Sequence, residues 1–207
     1  MLHREMSESA KIHITLATKI TILRILGVPV FILLVMYYLA GIKSGNVSDS
    51  YRIAALILFL LVAVTDALDG YLARKRGEVS RLGSILDPIA DKALMLSGLI
   101  LLTKPSVPEI EPHIPLWFTG LVISRDVFLV AGAFLIHAMA SEVKIKPHLT
   151  GKIATALQVI VIAWVLAQAS PYWFMYVVAL AGTFTIASWS IYLVDGLRQL
   201  ERVNRGR

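Results

Sequence analysis

No cysteine occurs in the 207 residues. That excludes disulfides, thiol nucleophiles and thiolate metal centres. Charge is scarce as well: Asp, Glu, Lys and Arg make up 16% of the chain, against about 25% in a soluble domain. With 57% hydrophobic residues and a mean hydropathy of +0.73, an ordinary soluble globular domain is excluded. The composition is that of an all-α integral membrane protein. No internal repeat, low-complexity run or second domain interrupts residues 1–207, which read as one membrane domain. Acidic residues are the scarcer sign, 14 against 20 basic, leaving a net charge of +6. In a membrane chain such an excess belongs to loops facing anionic lipid. The expected partner surface is therefore membrane lipid and not nucleic acid.

The features of a cleavable signal are also missing. Glu5 and Glu8 interrupt any basic leader, and no small-residue cleavage site closes the first apolar run. Residues 1–19 read as a short N-terminal interfacial segment, with Ile12–Leu16 lying along the membrane surface. Without an Arg-rich targeting leader, the expected location is a bacterial inner membrane.

What the chain does have is apolar length. Six segments, at about 20–40, 53–74, 83–103, 116–140, 152–169 and 172–194, are each long enough for a hydrocarbon core of about 30 Å. Basic residues concentrate after the second segment (Arg74, Lys75, Arg76, Arg81), after the fourth (Lys144, Lys146, Lys152) and in the tail (Arg198, Arg202, Arg205, Arg207). The loop at 104–112 is proline-rich and acidic on balance. The positive-inside rule then predicts six transmembrane helices with both termini cytoplasmic.

Four aspartates break this apolar pattern: Asp66, Asp69, Asp87 and Asp91. An acidic residue at a helix centre costs roughly 2.5–3.5 kcal/mol on insertion scales. Four need compensation, and divalent cations supply it. Asp66 and Asp69 are three apart and Asp87 and Asp91 four apart, so each pair shares one helix face. Two antiparallel neighbours joined by a short basic loop present all four at the cytoplasmic ends of helices two and three. Hard oxygen ligands suit Mg²⁺, Mn²⁺ or Ca²⁺. Four carboxylates suit two metals, the arrangement that clamps a phosphoryl group during displacement. Gly70, Ala73 and Gly83 are small residues in phase with the aspartates, and Arg74 is placed to meet a phosphate. The blander reading makes Asp69-Gly70 a turn and Arg74 to Arg81 a solvated loop. It leaves four intramembrane acids at helical spacing unexplained.

The run Asp66-x2-Asp69-Gly70-x2-Ala73-Arg74-x8-Gly83-x3-Asp87-x3-Asp91 resembles the signature of the CDP-alcohol phosphotransferases, also called CDP-alcohol phosphatidyltransferases. Every motif position is filled. The resemblance implies six transmembrane helices with the motif across the second and third, and commonly a homodimer. It implies that Asp66, Asp69, Asp87 and Asp91 hold two divalent cations, Mg²⁺ or Mn²⁺. Asp66, Asp69, Gly70, Ala73, Arg74 and Gly83 would contact the CDP moiety, and Asp91 would serve as general base. The acceptor oxygen would attack the β-phosphorus of CDP-diacylglycerol, and CMP would leave.

The acceptor alcohol separates the branches. Thr18-Lys19-Ile20-Thr21-Ile22-Leu23-Arg24 followed by Pro29 resembles the opening of the phosphatidylglycerophosphate synthase and cardiolipin synthase branches, with Thr18 in place of the usual Asn. Thr21, Arg24, Arg125 and Lys152 are the candidate acceptor contacts. For the Arg125-Asp126 pair in the fourth segment, the alternative is a buried structural ion pair. For Lys152 it is a lysine snorkelling at the interface. The glycerol-3-phosphate enzymes typically carry Arg-Glu in the fourth helix, an arginine two turns on, and a second lysine where Ala154 stands here. Both departures remove a cation, and a less basic pocket suits a phosphodiester. The sequence thus leans slightly to phosphatidylglycerol as acceptor, a cardiolipin synthase, with glycerol 3-phosphate as the close alternative. From another class, a cation or proton transporter would explain the carboxylates but not Gly70, Ala73, Arg74 and Gly83 in phase with them.

Overall fold

A computed structural model describes the backbone of residues 16–76, 92–103, 110–139 and 148–205, and side chains over 25–65, 92–103, 110–132 and 148–198. The chain is all-helical: α1 (Leu16–Ser44), α2 (Asp49–Arg76), α3 (described over Lys92–Leu101), α4 (Leu116–Met139), α5 (Leu149–Leu166) and α6 (Pro171–Arg205). The helices follow the order of the six apolar segments. Among the described residues, three stretches are long and apolar enough to cross a membrane: Ile25–Ser44, Leu149–Leu166 and Pro171–Arg198. Gly83, Asp87, Asp91 and the interfacial stretch at 12–15 lie outside the described residues.

The boundaries depart from the apolar segments where helix and membrane part company. The last apolar segment ends at 194, where Asp195 and Arg198 follow, yet α6 continues to Arg205. A charged turn leaves the hydrocarbon without leaving the helix. α5 ends at Leu166, and Gln168 takes a left-handed φ of 49°. Pro171 then opens α6 at its first position, where its missing N–H has no intrahelical partner to lose.

Packing between helices is close and apolar. Phe31 of α1 and Phe59 of α2 are fully buried with ring centroids 5.6 Å apart. A Cβ built on Gly98 of α3 would lie 3.1 Å from Ile162 Cγ2 and 3.6 Å from Phe31 Cζ. The glycine therefore lets α3 approach both α1 and α5, as small residues do where helices associate in lipid. Gly182 plays the same part between α6 and α4, since its Cβ would meet the Trp117 ring at 3.2 Å. Thr185 and Ser188 of α6 are buried and bonded to Gln158 and Arg125 of the same chain. These small residues, Gly182, Thr185 and Ser188, pack within the chain. Large apolar side chains such as Leu33, Leu61, Val130 and Leu180 point outward, as they would toward lipid.

Candidate active site

One contact relates the helices that place the site. Arg52, in the first turn of α2, donates from Nη1 to the carbonyl of Leu166 at the end of α5, at 2.8 Å. The start of α2 and the end of α5 therefore share one end of the bundle. Counting away from that contact, Asp66 and Asp69 lie about 21–26 Å along α2, and Gly151 lies about 22 Å along α5, at 1.5 Å per residue. The aspartate-bearing turns of α2 and the opening turn of α5 thus lie at similar distances from that contact along their own helices.

The backbone of α2 is helical through Asp66, Asp69, Gly70, Ala73 and Arg74. The three-residue spacing of the first two aspartates is therefore a helical one. Among the described side chains no group of three or more His, Asp or Glu forms a metal site. The four motif aspartates are not among those side chains. Their fit to a metal rests on donor chemistry: an all-carboxylate set matches hard divalent cations.

α3 to α6 meet in one polar junction. Lys92, the first described residue of α3, donates to Asp126 Oδ2 of α4 at 2.5 Å. The other oxygen of Asp126 accepts from Arg125 Nη1 at 2.9 Å. Arg125 Nη2 donates to Ser188 Oγ of α6 at 3.0 Å. Arg125 is 5% exposed, and its Nε is buried with no partner among the described residues. Gly151 opens α5 against the same group: a Cβ there would stand 3.2 Å from Tyr192 Oη and 3.3 Å from both Arg125 Nη2 and Ser188 Oγ. A side chain at this position would require the guanidinium or its neighbours to give way by a few tenths of an ångström.

The head of α5 is strapped to α6 by a neighbouring pair. His148 Nε2 lies 2.7 Å from Asp195 Oδ2. Its ring meets Tyr192 edge-on with centroids 5.5 Å apart. The His148 backbone N–H points to the Tyr192 hydroxyl at 3.4 Å. No side chain caps this helix start, and α6 holds it in place instead.

Among the candidate acceptor contacts, Thr21 and Arg24 lie on α1, without described side chains. Lys152 is exposed on the first turns of α5. Arg125 sits in the buried ion pair, the second of its two sequence readings. Of the positions behind the phosphatidylglycerol lean, Ala154 is fully buried, and Ala131, in the stretch two turns beyond Arg125 where the arginine is missing, is exposed. Sequence reasoning passed over Lys92, although it directly follows the last motif aspartate. It also missed the His148–Asp195 pair, whose members are 47 residues apart with no shared motif.

Comparison with known proteins fixes the class. Residues 14–187 match the CDP-alcohol phosphatidyltransferase family. Over 160 residues the chain is 34% identical to the CDP-diacylglycerol–glycerol-3-phosphate 3-phosphatidyltransferase of Bacillus subtilis, covering 76% of this chain and 79% of that one. It is 29% identical over 153 residues to the Escherichia coli K12 protein of the same name, covering 72% and 75%. The chain belongs to the CDP-alcohol phosphatidyltransferase family, and it is a transferase of substituted phosphate groups. The family is membrane-bound and dependent on divalent cations.

Proposed function

We propose that this protein transfers the phosphatidyl group of CDP-diacylglycerol to glycerol 3-phosphate and releases CMP, forming phosphatidylglycerophosphate. The observation that carries this reading is the 34% identity over 160 residues to a relative whose name specifies that donor and that acceptor. The lean toward phosphatidylglycerol gives way to it, since two named relatives specify glycerol 3-phosphate.

The chemistry follows from the residues. Asp66, Asp69, Asp87 and Asp91 would hold two divalent cations, Mg²⁺ or Mn²⁺, which when bound supply charge stabilisation to the diphosphate. Gly70, Ala73 and Gly83 leave room for the CDP moiety against the backbone. Arg74 pairs with a donor phosphate. Asp91 takes the proton from the acceptor hydroxyl as its oxygen forms a bond to the β-phosphorus. The bond from that phosphorus to the bridging oxygen breaks, and CMP leaves with the electron pair. Lys152, exposed at the head of α5, meets the acceptor phosphate together with Arg24, and Thr21 lies a turn before Arg24 on α1. Arg125 supports this wall from behind.

The loop charges favour six spans with both termini cytoplasmic, in a bacterial inner membrane. The family resemblance favours a homodimer.

The test is a product assay on purified protein in detergent with Mg²⁺ and CDP-diacylglycerol, offering each acceptor separately. Phosphatidylglycerophosphate and CMP in equal amounts are expected with glycerol 3-phosphate. Cardiolipin formed from phosphatidylglycerol, with glycerol 3-phosphate inert, would overturn the acceptor assignment.

A further inference from the structure

We propose that Lys92 and Asp126 form a positioning pair that fixes α3 against α4 at Lys92, and through it the placement of the metal-binding carboxylate one residue earlier in the chain. This rests on the reading of Asp91 as a metal ligand. Lys92 directly follows Asp91. Its ammonium is held 2.5 Å from Asp126 Oδ2, and Asp126 is itself fixed from behind by Arg125 at 2.9 Å. Arg125 is in turn anchored to α6 at Ser188 Oγ, 3.0 Å away. Lys92 of α3 is thus tied through two side chains of α4 to α6, and α5 closes on the same guanidinium at Gly151.

Burial argues that the pair is built and not incidental. Arg125 and Asp126 are 5% and 12% exposed, while Lys92 is half-exposed. Ionised groups at membrane depth are retained where they pair or function. Each Asp126 oxygen has its own cationic donor. Both oxygens are thus engaged by cations of this chain, and the rear one is anchored through Arg125, so Asp126 is placed to hold Lys92 in position.

Charge and geometry predict opposite outcomes for one substitution, which makes the inference testable. Lys92 is a cation beside a cluster of acids. If it acted through charge alone, its removal would tighten divalent-cation binding. If it positions α3, its removal loosens binding although the charge change favours it. The measurement is Mn²⁺ binding to the full-length protein in detergent by electron paramagnetic resonance, with kcat, the KM for glycerol 3-phosphate and thermal stability determined in parallel.

For Lys92→Gln, Mn²⁺ affinity and kcat are expected to fall on the order of 10-fold, the usual scale for groups that orient metal ligands. The KM for glycerol 3-phosphate should stay at the wild-type value. Lys92→Arg, which can still reach Asp126, should recover most of both losses. Asp126→Asn should reproduce the losses without adding to those of Lys92→Gln in the double variant. Should Asp126→Asn fail to fold, the two Lys92 variants decide, since half-exposed Lys92 tolerates replacement. Unchanged or tighter Mn²⁺ binding in Lys92→Gln overturns the proposal. So does a change confined to the acceptor KM, or an arginine no better than glutamine. A wild type that binds no Mn²⁺ overturns both this inference and the proposed function. A wild type and Lys92→Gln that bind equally well overturn this inference alone.

Discussion

Gly151 and Arg125 are in contact to the limit of what a backbone allows: a Cβ on Gly151 would lie 3.3 Å from Arg125 Nη2. Two terms of opposite sign act on Gly151→Ala. Helix propensity favours alanine by about 1 kcal/mol, while overpacking costs about 1–3 kcal/mol. Arg125 is held on two sides, by Asp126 and Ser188, and cannot retreat freely. Thermal unfolding in detergent should show Gly151→Ala at or slightly below wild type. Gly151→Val, with two more methyl groups, should be clearly destabilised and reduced in turnover. A Val variant with wild-type stability would contradict the packing described here.

At the opposite end, Arg52 bonds the last carbonyl of α5 and pairs with Asp49 at 3.1 Å. A hydrogen bond from a charged donor contributes about 1.5–3 kcal/mol, and a cation at a helix C-terminus adds to it. Arg52→Ala should lower stability by that amount and leave kcat of the folded enzyme unchanged. Paired unfolding and activity measurements check both halves.

Gln158 is buried, and its amide donates to Thr185 Oγ1 at 3.3 Å. Thr185 in turn donates to the Ala181 carbonyl at 2.7 Å. Thr185→Val strands the Gln158 amide and should cost about 1 kcal/mol, within the range for polar pairs between membrane helices. The double variant Gln158→Leu/Thr185→Val should return close to wild type, because both polar partners are gone. A double-variant cycle in thermal unfolding checks this.

Asp91→Asn should reduce CMP release by about 10²–10⁴-fold, the scale of a lost general base, with the protein still folded by thermal unfolding. Chelation of divalent cations should abolish turnover, and Mg²⁺ or Mn²⁺ should restore it. A transporter or a scaffold would have no CMP release to lose.

The order of the helices was legible because apolar length is a local property of sequence. Their ends were not. α6 runs on to Arg205 because charge ends a hydrophobic window without ending a helix. The motif placed Asp66 and Asp69 on a helix, and the backbone of α2 is helical through both. The supporting contacts were hidden because they join elements distant in sequence. Lys92 and Asp126 are 34 residues apart, and Arg125 and Ser188 are 63 apart. No spacing rule links them. The acceptor was not legible for a related reason: cations can be counted along the chain, but whether a position reaches a pocket is decided by packing, and Ala154 has no accessible surface. The named relatives favour glycerol 3-phosphate over the phosphatidylglycerol lean.

The central claim is transfer at the β-phosphorus to glycerol 3-phosphate. The most direct measurement supplies CDP-diacylglycerol labelled at that phosphorus, with unlabelled glycerol 3-phosphate and Mg²⁺, and follows the label. The account predicts label in phosphatidylglycerophosphate, matched mole for mole by unlabelled CMP. Label retained in a nucleotide, or no lipid product until phosphatidylglycerol replaces glycerol 3-phosphate, would contradict it.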